Sequence, residues 1–129
     1  MISDTCFLDN PEGLRQIYGH LPKFDEVNLQ RLQFDWNGPS VLLTLDLQEF
    51  PKNPPVKWEK FNTVQVELSF GPLLSVELVK FGRGNRCNLT VSESVDGALE
   101  VVVQGETEAK LTATSAFICK ISAYLNGDS

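Results

Sequence analysis

From Val27 to the end of the chain, apolar side chains recur at every second position in strand-length segments, and turn-forming residues separate the segments. A period of two places alternate residues on opposite faces of an extended backbone, so such segments bury one face and wet the other. The segment VNLQRLQFDW sets Val27 and Leu29 in phase, then Leu32, Phe34 and Trp36 in the opposite phase, as a β-bulge near Gln30–Arg31 produces. Asn37-Gly38 is a strong hairpin turn, and SVLLTLDLQEF returns with Val41, Leu43, Leu45 and Leu47 inward against Thr44, Asp46 and Gln48 outward. Phe34 and Trp36 are expected in the core on this phase.

Further along, Val64, Val66, Leu68 and Phe70 alternate, Gly71-Pro72 reads as a turn, and Leu74, Val76 and Leu78 alternate again, which predicts a second hairpin. Cys87, Leu89 and Val91 are answered across Asp96-Gly97 by Leu99, Val101 and Val103, a third hairpin. Lys110–Thr114 and then Phe117, Cys119, Ile121, Ala123 and Leu125 close the series, with Cys119 expected to be buried. Residues 51–60 break the pattern, because Pro51, Pro54 and Pro55 have no amide donor for a ladder and favour an extended loop across one end of the fold. The helical signal lies near the start, where Asp9 or Asn10 can cap, Pro11 suits the first turn, Leu14, Ile17 and Tyr18 share a face, and Gly19 ends the run. The expected fold is therefore mainly β, about eight antiparallel strands in a curled sheet or two-sheet sandwich with one short N-terminal helix.

A chain of 129 residues matches one domain, with residues 1–20 as its helical segment and 21–129 as its β part. Seventeen acidic against eleven basic side chains give a net charge of -6, which disfavours nucleic acid and anionic membrane and favours a basic partner. The acidity is segmented, since residues 51–90 carry six bases against three acids while both flanks are acidic. Cys6, Cys87 and Cys119 are odd in number, widely spaced and outside any CxxC pattern, so neither a disulfide framework nor a zinc site is implied and a reducing compartment fits. No leader-like N-terminus and no membrane-length apolar run is present, and the protein is expected in the cytoplasm.

Chemistry-bearing residues are few. His20 is the only histidine, and no nucleophile elbow, phosphate loop, dinucleotide fingerprint or HExxH motif occurs. Asp25-Glu26 is a pair of carboxylates, but neighbours in an extended segment point to opposite faces. Gly82-Arg83-Gly84 precedes a strand and reads as a hairpin turn, whose Arg83 and nearby Arg86 could alternatively grip an anion. Phe24 reads as a core plug. Trp58, in the proline-rich loop, either pins that loop to the end of the fold or serves as an interface anchor.

Taken together, Leu21-Pro22-Lys23-Phe24-Asp25-Glu26-Val27-Asn28-Leu29 resembles the opening of the first strand in the immunity protein 50 family of bacterial polymorphic-toxin systems, a proline-x-phenylalanine-histidine-aspartate-x-glutamate-hydrophobic stretch. Pro22 and Phe24 match; Asp25 stands where histidine is usual, Glu26 replaces the aspartate and Asn28 the glutamate. The resemblance continues through Val56-Lys57-Trp58, Asn62-Thr63-Val64 and Leu78-x-x-Phe81-Gly82, and covers most of the chain from His20. It implies a non-enzymatic protein that binds and blocks a cognate protein toxin, with no cofactor and no metal. Asp25, Glu26, Asp35 and Trp58 are the candidate contacts, because they combine charge or aromatic area with strand starts and loops. Two other classes compete: a carbohydrate- or small-ligand-binding β module using Trp58, and an enzyme using Asp25, Glu26 or His20.

Overall fold

The chain's computed structural model describes residues 8–82 and 84–127, so Cys6 and Arg83 lie outside the described residues. The helix α1 (Glu12–Tyr18) comes first, followed by strands β1 (Val27–Asp35), β2 (Ser40–Asp46), β3 (Thr63–Lys80), β4 (Arg86–Glu93), β5 (Leu99–Gly105) and β6 (Glu108–Tyr124). All ladders are antiparallel, and the strands form a barrel in the order β1-β2-β3-β6-β5-β4. The mainly β class with one short helix is as the alternation indicates.

Among the described residues there are six strands and not eight, because the expected turn at Gly71-Pro72 lies inside one strand and two segments counted apart form another. At Gly71-Pro72 the ladder between β3 and β6 continues from Gly71↔Ser115 to Leu73↔Ala113, so the missing Pro72 donor leaves the pairing unbroken. The hydroxyls of Thr114 and Ser115 both donate to the Gly71 carbonyl oxygen, at 3.1 and 2.7 Å, and hold β6 to β3 at that point. The hairpin expected between Phe70 and Leu74 is therefore a single 18-residue strand, and Lys110–Thr114 likewise runs on into the C-terminal segment.

Inside the barrel, Val41, Leu43 and Leu45 from β2 face Val64, Val66, Leu68 and Phe70 from β3, all fully or nearly fully buried. Leu89 from β4, Val101 and Val103 from β5, and Leu111, Ala113 and Ile118 from β6 complete the core. The bulge expected in β1 is present as a register shift between Leu29 and Arg31. A second shift in β6, where Glu67 pairs with Lys120 and Leu68 with Ile118, skips Cys119. It turns Ile118 inward and leaves Cys119 exposed, which corrects the expectation of a buried thiol.

The ends of the barrel are treated differently. At one end the loop after β2 folds back through a 3-10 turn at Val56–Trp58 and inserts Trp58 into the core, where it is 6% exposed. The helix packs Leu14 and Tyr18 inward, Gly19 ends it in the left-handed conformation (φ 81°), and the Tyr18 hydroxyl donates to the Glu49 carbonyl oxygen at 2.7 Å. Asn10 does not cap this helix. Its side-chain amide accepts from the Ile118 N–H and donates to the Ile118 carbonyl, at 2.8 and 3.0 Å, and so ties the chain entering the helix to β6.

At the other end the wall is split. β1 meets β4 only at Val27↔Cys87 and Asn28↔Arg86, with one further bond from the Leu29 N–H to the Asn85 carbonyl. From Gln30 to Asp35, β1 pairs with β2 alone.

Candidate functional site

The split wall creates an apolar cleft of about 470 Å³ between the β1–β2 hairpin and the distal half of β3, lined by Phe34, Asp35, Trp36, Leu73, Leu74 and Val76 among others. Phe34 pairs with Val41 across β1 and β2, so its ring shares the inward face, yet it is 44% exposed because no strand covers that face. Trp36 stands at the turn and is 96% exposed. The Asp35 carboxylate accepts the Asn37 N–H at 2.9 Å, a local turn that leads the chain away from the ladder directly after Asp35. Alternation placed Phe34 and Trp36 in the core; the structure puts both at an opening instead, since the phase of a strand sets its face but not whether anything lies opposite.

Leu74, Val76 and Leu78, expected inward, are exposed too, and Val79 and Phe81 join them. β3 passes the hairpin tip at Leu73, whose N–H donates to the Pro39 carbonyl at 2.7 Å. Beyond that bond the edge of β3 that had carried β2 has no strand beside it among the described residues. An exposed, apolar strand edge of this length is a ready template for another strand.

The other polar candidates gather at the opposite end of β1. Asp25 and Glu26 line a surface groove of about 340 Å³ with His20, Lys23 and Glu49. The segment is a turn and not extended, which corrects the inference that these two carboxylates diverge: Glu26 has φ 52°, an uncommon conformation for a side-chain-bearing residue, and its N–H is held by the Asn88 side-chain oxygen at 2.6 Å. His20 lies 3.2 Å from the Glu49 carboxylate, and Arg86 reaches Glu26 at 4.0 Å, both pairs well exposed. Contacts so open to water, of which Arg86–Glu26 is the ion pair, contribute little to stability. The groove presents three carboxylates to solvent and can receive a cationic group from a partner. No group of three or more His, Cys, Asp and Glu among the described residues is arranged to hold a metal ion.

Of the four candidate contacts, Asp25 and Glu26 thus share one groove and Asp35 lines the cleft at the far end of β1. Trp58 is buried and pins the proline-rich loop, so it takes the structural one of the two roles considered for it, and the reason for reading the chain as a sugar-binding module around that indole falls away. The exposed aromatic that sequence reasoning missed is Trp36. Its position two residues before Gly38 in a hairpin turn was the available signal, outweighed by its phase with Phe34.

Beneath the outer surface of the sheet, Asp46 forms a further polar cluster. Sequence alternation places it outward, yet it is 3% exposed, because Gln30 from β1, Gln65 from β3 and Tyr124 from β6 close over its carboxylate. Thr44, also expected to be wet, is buried between Arg31 and Glu67 in register. Burial, the hydrogen bond to Asp46 and its negative charge together push the Tyr124 phenol up to about 12.

Among the described residues no helix is long and apolar enough to cross a membrane. No curated protein and no solved structure matches the chain. A family model described as immunity protein 50 matches residues 10–124, from the asparagine that anchors the helix to the last residue of β6. Nearly the whole barrel falls within that match, and the chain belongs to the immunity protein 50 family.

Proposed function

We propose that the protein is a cytoplasmic, single-domain immunity protein of a bacterial polymorphic-toxin system, which binds a cognate toxin domain and neutralises it without catalysing a reaction. Membership of the family supports this reading. The observation in the fold that carries it is Trp36, almost fully exposed beside an apolar cleft whose other wall, Leu74 and Val76, is exposed as well. Exposed tryptophan over apolar surface is the usual anchor of a protein interface, where it supplies large buried area at low entropic cost. The net charge of -6 matches a basic toxin, and Asp25, Glu26 and Asp35 are the carboxylates that would meet it.

Co-expression with the polypeptide encoded immediately upstream tests the proposal. Restored growth and a purified complex of the two chains are expected; an upstream product that neither harms the cell nor binds this chain would overturn it.

A further inference from the structure

We infer that the split in the barrel wall receives an extended segment of the toxin, which adds as a strand to the free edge of β3 between Leu74 and Lys80 and packs apolar side chains against Phe34 and Trp36. This inference rests on the proposed function and specifies how the partner is held.

Both walls of the cleft are strands with an unpaired edge. β1 is without a neighbour on one side from Gln30 to Asp35, and β3 is without one beyond the Leu73–Pro39 bond, among the described residues. Rows of backbone donors and acceptors in an apolar setting are satisfied by another extended backbone, which gives affinity through main-chain bonds and specificity through alternate side chains. A helix or a small ligand would fill the space without meeting those groups. The distal half of β3 is also exposed on both of its faces, with Leu74, Val76, Leu78 and Val79 uncovered.

Charge identifies the occupant. Among the described residues, Asp35 is the one acidic or basic side chain lining the apolar part of the cleft, and the chain as a whole carries -6. At the other end, where β1 passes Phe81 and Asn85, Arg31 is the charged lining residue among the described ones. The complementary strand therefore has a basic residue opposite Asp35, an acidic or neutral one toward Arg31, and apolar residues between. A second copy of this chain would bring like net charges together.

Hydrogen exchange on the full chain, alone and with the upstream-encoded toxin domain, tests this. Slowed exchange of the amides between Leu74 and Lys80 is expected on binding. Trp36→Ala and Val76→Lys should each weaken the complex about tenfold or more, with circular dichroism and melting temperature of the free proteins unchanged. Binding that leaves the Leu74–Lys80 amides unprotected and tolerates both variants would overturn the inference while leaving the proposed function standing. Absence of any binding would overturn both. Protection of the same amides in the protein alone, rising with its concentration, would assign the edge to self-association and overturn the inference.

Discussion

The Tyr124 hydroxyl donates to the Asp46 carboxylate at 2.5 Å, joining the end of β6 to the end of β2 across the intervening β3. Gln30 and Gln65 donate to the same carboxylate at 2.7 and 2.9 Å, so four consecutive strands of the wall meet at one buried anion with neutral donors. Asp46→Ala removes the shared acceptor and leaves the two amides and the phenol short of a partner. The donors are exposed (Gln30) or half-buried (Gln65 and Tyr124) and can turn to water, so the loss is expected to be about 1 kcal/mol, the net worth of such a hydrogen bond, and not the larger penalty of stranding buried groups. Urea unfolding compared with Leu32→Ala, a half-buried apolar truncation on the same sheet, checks whether the loss exceeds that of simple packing.

Alkaline pH should destabilise the fold through its tyrosines. Tyr124 is raised to about 12 from an ordinary value of 10, and burial followed by the charge of Glu49 pushes Tyr18 up as well. The folded protein therefore holds phenolic protons that the unfolded chain releases. Stability from these two groups is fully present below pH 10 and is lost as the pH rises through the folded values, so melting temperature should fall from pH 10 toward 12. Tyr124→Phe should flatten part of that decline. A melting temperature that does not change over this window would contradict the assignment.

How far these features could be foreseen depends on which contacts they need. The inward faces of β2 and β3 were legible, because Val41, Leu43, Leu45, Val64, Val66 and Leu68 alternate without interruption and are covered on both sides by neighbouring strands. The bulge in β1 was legible too, since the phase changes between Leu29 and Leu32. Gly71-Pro72 misled because a proline excludes one ladder bond and not a strand, and the neighbouring Ser115 and Thr114 hydroxyls bond the Gly71 carbonyl. The cleft was hidden for a different reason: its existence depends on β4 parting from β1 after Asn28, a long-range event that the period of β1 does not encode. Burial of Asp46 likewise depends on side chains from three other strands.

The two tryptophans should separate stability from binding. Trp58 is buried beneath the proline-rich loop, so Trp58→Ala opens a core cavity and is expected to cost about 3–5 kcal/mol. Trp36 is exposed, and Trp36→Ala should change stability by no more than about 0.5 kcal/mol. Chemical denaturation of both variants, followed by the fluorescence of the remaining indole, gives the comparison. Equal losses would mean that Trp36 is covered by the protein itself and is not offered to a partner.

Charge reversal at the other end of β1 asks how much of the surface the toxin covers. Asp25 and Glu26 precede Val27, and Asp35 ends the same strand nine residues on, so the acidic groove and the apolar cleft lie roughly 25–30 Å apart at ~3.3 Å per residue. A standard interface of about 800 Å² on each partner is roughly 30 Å across, enough to reach both ends only if the toxin lies along β1. In that case Asp25 and Glu26 form its rim, and replacing both with lysine should slow association several-fold, with a smaller effect on dissociation and a weaker salt dependence. Stopped-flow binding at two salt concentrations separates these effects. An association rate unchanged in the double variant, together with a loss in Trp36→Ala, would confine the interface to the cleft and its hairpin.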